Sequence, residues 1–280
     1  MKFATFTHNG RLSWGLVDGN AIADLGTSTG SSLKAAIAAT GGLKAAAARA
    51  ADAPRIPLAA ITYAPVIPDP DKIFCVGLNY ENHRKETGRN EVANPTIFTR
   101  FANSQLGAGE PIIRPKVSTH LDFEGELALV IGKPGRAISK ENAFDHVAGY
   151  ACYNDGSVRD WQYHTTQFTP GKNFASTGAF GPHLVTPDEV GPLAGLTLAT
   201  RLNGQTVQET RLGDMIFDIP TIIAYCSTFS RLEVGDVIVT GTPGGVGAKR
   251  TPPLWMKAGD VVEIEIDKVG LLRNPIVDEA

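Results

Sequence analysis

Long apolar runs, a surplus of basic residues and paired cysteines are all missing from this chain. Its uninterrupted hydrophobic stretches are short, as at residues 127–131 (LALVI), and residues 1–10 (MKFATFTHNG) hold no hydrophobic signal core. A membrane-spanning helix needs about 20 apolar residues, so neither a span nor a secretory signal is expected. Lysine and arginine number 26 against 29 aspartates and glutamates, giving a net charge of −3 and a pI near 6.1. Without a basic field to hold a polyanion, nucleic acid and anionic membranes are excluded as partners. The three cysteines, Cys75, Cys152 and Cys226, lie far apart and form no C-x-x-C. That set suits a reducing cytoplasm and small buried apolar side chains better than a disulfide framework. No internal repeat is visible.

What is present is a chain of 280 residues, 42% of them hydrophobic, enough for one large domain with a small appendage. Residues 1–25 alternate apolar and polar around Gly10 and Asp18-Gly19-Asn20, which reads as short strands joined by tight turns. Residues 33–53 are Ala-rich and broken by Gly41-Gly42, predicting two short helices. Prolines 54, 57, 65, 68 and 70 then mark a linker, so a small N-terminal α+β domain is placed at residues 1–65 and a β-rich main domain at 66–280. Residues 261–267 (VVEIEID) alternate cleanly as a strand. A helix is expected after Asp218, with Pro220 in its first turn and Ile222, Ile223, Cys226 and Phe229 on one face.

The stretch Asp122-Phe123-Glu124-Gly125-Glu126 runs directly into LALVI. In an extended strand, Asp122, Glu124 and Glu126 point to one face. Crowded carboxylates beside a buried strand repel unless protonated or neutralised by a cation, and hard oxygen donors select Mg²⁺, Mn²⁺ or Ca²⁺ over zinc. A solvated acidic strand edge accounts for the spacing equally well. Residues 154–162 (NDGSVRDWQ) add Asp155 as a third possible carboxylate ligand. Arg159 and Gln162 there suit a substrate carboxylate or carbonyl, although a turn with Asp160 pairing Arg159 explains the segment by itself.

Residues 78–86 (LNYENHRKE) read as a short helix capped by Asn79 and closed by Gly88. His83 and Glu86, three apart, share a face, and such a pair can serve as an oriented general base. The spacing alone favours a solvated surface pair. Lys172, between Gly171 and Asn173, could stabilise an oxyanion if buried. Residues 241–247 (GTPGGVG) lack the Lys-Ser/Thr of a phosphate loop and the spacing of a dinucleotide turn. They read either as a loop whose N–H groups and Thr242 hydroxyl approach a carboxylate, or as a plain structural turn.

Together and in this order, these segments resemble the fumarylacetoacetate hydrolase family from about residue 70 to the C-terminus. The motifs are G-L-N-Y-x-x-H-x-x-E at 77–86, D-x-E-x-E-L-A-L-V-I-G at 122–132 and N-D-x-S-x-R-D-x-Q at 154–162. They continue with G-K-x-F at 171–174, D-M-I-F at 214–217 and G-D-V-I-x-T-G-T-P-x-G-V-G at 235–247. The resemblance implies an α+β, β-rich mixed roll, usually a homodimer, and a Mg²⁺ or Mn²⁺ ion held by Glu124, Glu126 and Asp155, with Ca²⁺ a substitute in crystals. It implies a His83–Glu86 dyad that activates water. It places Lys172, Arg159 and Gln162 around the substrate oxygens, and Thr242 and the backbone at Gly77 on its carboxylate. The implied reaction is C–C bond hydrolysis of a small 2,4-dioxo acid such as an acylpyruvate. Isomerisation or decarboxylation of a 2-oxo or 2-hydroxy-dienoic dicarboxylic acid is the alternative within the family, and non-catalytic binding of a small acid the alternative outside it. The chain departs from the family pattern at Asn173, where Ser or Cys is common, at Arg100, where Lys is common, and at the non-acidic residues 175–178. These changes bear on the substrate, not on the metal.

Overall fold

The computed structural model describes residues 1–280. Three sheets carry the fold. The largest runs in spatial order Arg55–Pro57, Ala21–Asp24, Arg11–Asp18, Lys2–His8, Gly178–Val185, Val147–Asp155, Gly125–Ile131, Val237–Val239, Ile73–Gly77 and Thr96–Arg100. It is mixed: Val237–Val239 lies parallel to Ile73–Gly77, and its other neighbour, Gly125–Ile131, is antiparallel to it. A five-stranded sheet runs Gln205–Arg211, Thr197–Leu202, Val261–Ile266, Gly270–Asp278, Ile112–Arg114. The third pairs only Leu121–Asp122 with Ser157–Val158. This is the expected β-rich, mixed α+β architecture.

The N-terminal strands are not a separate sheet. Lys2–His8 pairs antiparallel with Gly178–Val185, Lys2 opposite Val185, so the first strands extend the main sheet across residue 65. Phe3, Trp14 and Leu25 pack in one core with Cys75, Ala128 and Val239. Burying both faces of the central strands explains why LALVI is a continuous apolar run rather than an alternating one. Helices Leu33–Ala38 and Gly42–Ala47 sit where the alanine-rich stretch predicts them, divided at Gly41 and Gly42, both with positive φ. Helix Ile219–Phe229 begins at Asp218, whose Oδ1 accepts from the Thr221 N–H, with Pro220 in the first turn. Ile222, Ile223 and Cys226 are buried, as expected, but Phe229 is 53% exposed. All three cysteines are free and buried. No helix is long and apolar enough to cross a membrane.

Two sequence expectations fail locally. Residues 122–126 are not one strand: Leu121–Asp122 belongs to the small sheet and Gly125–Ile131 to the large one. The backbone breaks between them because it is held from both sides. The Glu124 N–H donates to Asn154 Oδ1, and the Asp155 N–H donates to the Glu124 carbonyl. Gly125 passes so close to Thr200 that a Cβ there would sit 2.0 Å from its Oγ1. Nor does Asn79 cap the helix Glu81–Glu86, since Tyr80 occupies that position. Asn79 is fully buried and ties three loop groups, donating to the carbonyls of Phe217 and Thr240 and accepting from the Phe217 N–H. Buried loop backbone must find such partners.

Candidate active site

The site is assembled where two adjacent central strands end. Glu126 stands at the start of Gly125–Ile131, Asp155 at the end of the antiparallel neighbour Val147–Asp155, and Glu124 in the break just before. One oxygen from each of these three buried carboxylates lies within 4.8 Å of the others. The break therefore achieves what a continuous strand would not. It removes Asp122 from the cluster and turns Glu124 towards Asp155.

Asp122 has a different task. Its carboxylate accepts the N–H groups of Gly247 and Ala248 and the Nε of Arg159 at 2.8 Å. Arg159, on the short helix Arg159–Gln162, also reaches Glu124 Oε1 at 2.6 Å and Gln162 Oε1 at 2.9 Å. Its Nη2 is buried with no partner, and an orphaned guanidinium donor at a cavity wall is ready for an anionic ligand. Asp160 does not pair with Arg159; it accepts from Ser118 Oγ. Lys172 closes the helix Thr169–Lys172, with its Nζ 2.7 Å from Glu124 Oε2 and 2.6 Å from Asp155 Oδ2. A Cβ on Gly171 would lie 2.4 Å from the Gln162 N, so glycine is required for the two short helices to pack.

His83 is buried, and its Nδ1 lies 2.8 Å from Glu86 Oε1. The expected pair exists, with His83 in the cavity wall and Glu86 half-buried beside it. Glu86 is itself fixed by the Gly245 N–H. The glycine-rich loop does approach carboxylates, but they are the protein's own: Gly241 donates to Glu126, Gly245 to Glu86 and Gly247 to Asp122. Thr242 lines the cavity while donating to the Gly125 carbonyl and accepting from Gln208 Nε2. Asn173 has no part in the cavity wall; it ties the backbone of Thr99, Phe101 and Thr169.

Two buried polar participants escaped the sequence reading. Arg100, noted there only as a departure, is buried behind Asp155 and donates to its Oδ1 at 2.6 Å, to the Gly156 carbonyl and to Thr177 Oγ1. The departure itself was the available signal. Gln208 left none, because its strand Gln205–Arg211 reads as an ordinary polar edge.

Charge decides what this cluster lacks. Four buried carboxylates, Asp122, Glu124, Glu126 and Asp155, face three buried cations, Arg100, Arg159 and Lys172. Burial alone would raise Glu124, but Lys172 and Arg159 hold it below the usual carboxylate range. Burial would likewise lower Lys172, and Asp155 and Glu124 raise it instead. Glu126 has no ion-pair partner. Burial, and then repulsion from Asp155 and Glu124, push it well above the usual range. An all-oxygen donor set with one uncompensated negative charge fits a hard divalent cation.

Together with Gly77 and Phe98, the groups His83, Lys172, Arg159 and Gln162 line one cavity of about 100 Å³. Residues 72–277 match the family described as fumarylacetoacetate (FAA) hydrolase C-terminal. The chain belongs to the fumarylacetoacetate hydrolase family. An oxaloacetate tautomerase of Xenopus laevis is 44% identical over 213 residues, which is 75% of this chain and 67% of that protein. The human oxaloacetate tautomerase FAHD2A is 40% identical over 82% of this chain and 74% of its own length. Among solved structures, a maleylpyruvate hydrolase from Sphingobium sp. SYK-6, in complex with manganese(II) and pyruvate, superposes with a TM-score of 0.85 at 30% identity, covering all of both chains. A fumarylacetoacetate hydrolase from Exiguobacterium antarcticum gives 0.86 at 33% identity with the same coverage. The family is enzymatic, with hydrolases, isomerases and tautomerases among its members.

Proposed function

We propose that this enzyme interconverts the keto and enol forms of a small 2-oxo dicarboxylic acid of the oxaloacetate type. The observation that carries the reading is the buried His83, its Nδ1 held by Glu86, in one cavity lining with Lys172 and Arg159, an arrangement that can move a proton on a 2-oxo acid. The identity to oxaloacetate tautomerases over most of the chain supports the same choice.

The residues divide the work by what each still has free. Glu124, Glu126 and Asp155 would hold Mg²⁺ or Mn²⁺, which supplies Lewis-acid polarisation of a 2-oxo acid. His83, with Nδ1 committed to Glu86, presents Nε2 as the nitrogen able to take a proton from C3. Glu86 fixes that tautomer and stabilises the imidazolium. The Arg159 Nη2 donor and the Lys172 ammonium face the oxygen on which charge develops. The same proton returns to that oxygen to complete the enol, or to C3 in reverse. Phe98 and Phe168 form apolar wall, limiting water at the reacting carbon.

A second reading keeps the site and changes the substrate. The His83–Glu86 geometry can equally activate water for hydrolysis of a 2,4-dioxo acid, and the maleylpyruvate hydrolase fold match favours it. The deciding experiment adds enol-oxaloacetate and, separately, an acylpyruvate to the Mg²⁺-loaded protein and follows ultraviolet absorbance. Faster loss of the enol with no acylpyruvate cleavage is expected. Acylpyruvate turnover exceeding tautomerisation would reassign the enzyme as a hydrolase. A homodimer belongs to the same reading, and light scattering showing a 29.7 kDa monomer would count against it.

A further inference from the structure

The cavity carries positive charge at two depths. At its floor, Arg159 and Lys172 are buried and spend nearly all their donors on Asp122, Glu124, Asp155 and Gln162. At its outer wall stand Arg89 and Lys249, both exposed, from two unrelated segments: the loop after helix Glu81–Glu86 and the turn Gly247–Lys249. Neither side chain forms an ion pair or a hydrogen bond, whereas three charged groups beside them are already engaged. Arg84 is held by Glu81, Glu86 by His83 and Gly245, and Arg250 by the carbonyls of Gly245 and Val207. Two unpaired like charges in the lining of one cavity attract an anion, with the exposed Glu91, two residues from Arg89, the one unpaired carboxylate beside them.

We propose that Arg89 and Lys249 hold the second carboxylate of the substrate at the cavity mouth, so that the enzyme selects 2-oxo dicarboxylic acids over 2-oxo monocarboxylic acids. The inference rests on the reading of this cavity as a 2-oxo acid site, and it deepens that reading by naming what recognises the far end. The floor binds the 2-oxo acid head, which all such acids share and which therefore cannot discriminate among them. The mouth meets the part that differs. Both cations are solvated, so each should contribute only a few-fold in affinity, and salt should screen the effect.

The test is calorimetric binding of oxaloacetate and of pyruvate to the Mn²⁺-loaded protein, wild type against the double variant Arg89→Ala/Lys249→Ala. Pyruvate shares the head group and lacks the second carboxylate. The wild type should prefer oxaloacetate, and the double variant should lose about ten-fold of that preference through weaker oxaloacetate binding. Higher salt should shrink the wild-type preference in the same direction. A Lys249→Glu variant, which reverses the charge, should lose more than Lys249→Ala. A wild type without preference, or a double variant that keeps it in full, overturns the proposal. The readout is independent of turnover: a wild type that binds with preference and does not tautomerise sinks the reaction proposed above and leaves the carboxylate contact standing. A wild type that binds neither ligand overturns both.

Discussion

Arg100 Nη1 lies 2.6 Å from Asp155 Oδ1, with both side chains wholly removed from solvent, while Asp155 Oδ2 faces Lys172 at the same distance. One oxygen of the carboxylate is thus fixed from behind and the other is offered to the site. Arg100 holds its place by further bonds to Gly156 and Thr177, and Gly178 makes room for it, since a Cβ there would lie 2.7 Å from Nη2. Arg100→Met should leave Asp155 with Lys172 as its one ion-pair partner and Oδ1 unpaired, at a cost in stability of up to about 3–5 kcal/mol. Arg100→Lys keeps the charge but cannot reach all these acceptors from one nitrogen. It should fold with a smaller loss and bind Mn²⁺ more weakly. Thermal unfolding and Mn²⁺ titration check the pair, and unaltered Mn²⁺ affinity in Arg100→Lys would separate Arg100 from the cation site.

Glu126→Gln should move stability and metal affinity in opposite directions. Burial and two neighbouring carboxylates raise Glu126, so ionising it costs folding free energy as pH climbs through its folded value. Gln removes that cost. The metal-free variant should therefore melt at or above the wild type, while losing the upward shift that Mn²⁺ gives the wild type, about 2.7 kcal/mol at a hundred-fold excess over Kd. A metal-free variant that melts well below the wild type would contradict the charge assignment.

Chelation should abolish turnover, and Mg²⁺ or Mn²⁺ should restore it, with binding releasing protons as the carboxylates are freed to ligate. Full activity in metal-stripped protein would remove the cation from the mechanism.

His83→Ala should lower turnover by about 10²–10⁴, the usual loss for a general base, and leave Mn²⁺ affinity nearly intact. Glu86→Gln should cost less, because it disturbs only the tautomer and charge behind the ring. Hydrogen–deuterium exchange at C3 of a bound 2-oxo acid, read by NMR, tests the role directly. Undiminished exchange in His83→Ala would assign proton transfer elsewhere.

His183 gives a pH effect remote from the site. Burial first, then the charge of Lys2, lowers it from its ordinary value to about 4. Below pH 6.5 the unfolded chain takes up a proton that the folded ring refuses. Stability from this group is therefore complete above 6.5 and is lost as pH falls towards 4, by about 1–3 kcal/mol. Chemical denaturation of His183→Gln against wild type should show a flatter profile in that window, and identical profiles would refute the assignment.

The residues by themselves determined much of this. Six motifs in order identify the family, and the acidic, apolar and glycine-rich segments name the buried charged groups of the cavity, though not Phe98, Phe168, Arg89 or Lys249 in its wall. Local chemistry suffices for that, because helix stops at Gly41-Gly42, the Asp218 cap and the buried run LALVI depend on neighbours in the chain. The rest was decided by contacts between residues far apart in sequence. That Glu86 is fixed beside a buried His83, and not a free surface side chain, depended on Gly245, 159 positions beyond it. Asp122 and Glu124 are two residues apart, yet they separate because the Gly247 and Ala248 N–H groups claim one and Lys172 claims the other, with Arg159 bridging the two. Arg100 acts on Asp155 only through the fold. Buried charges are set by desolvation and by whichever opposite charges lie within a few ångströms, and those distances are properties of the tertiary structure alone.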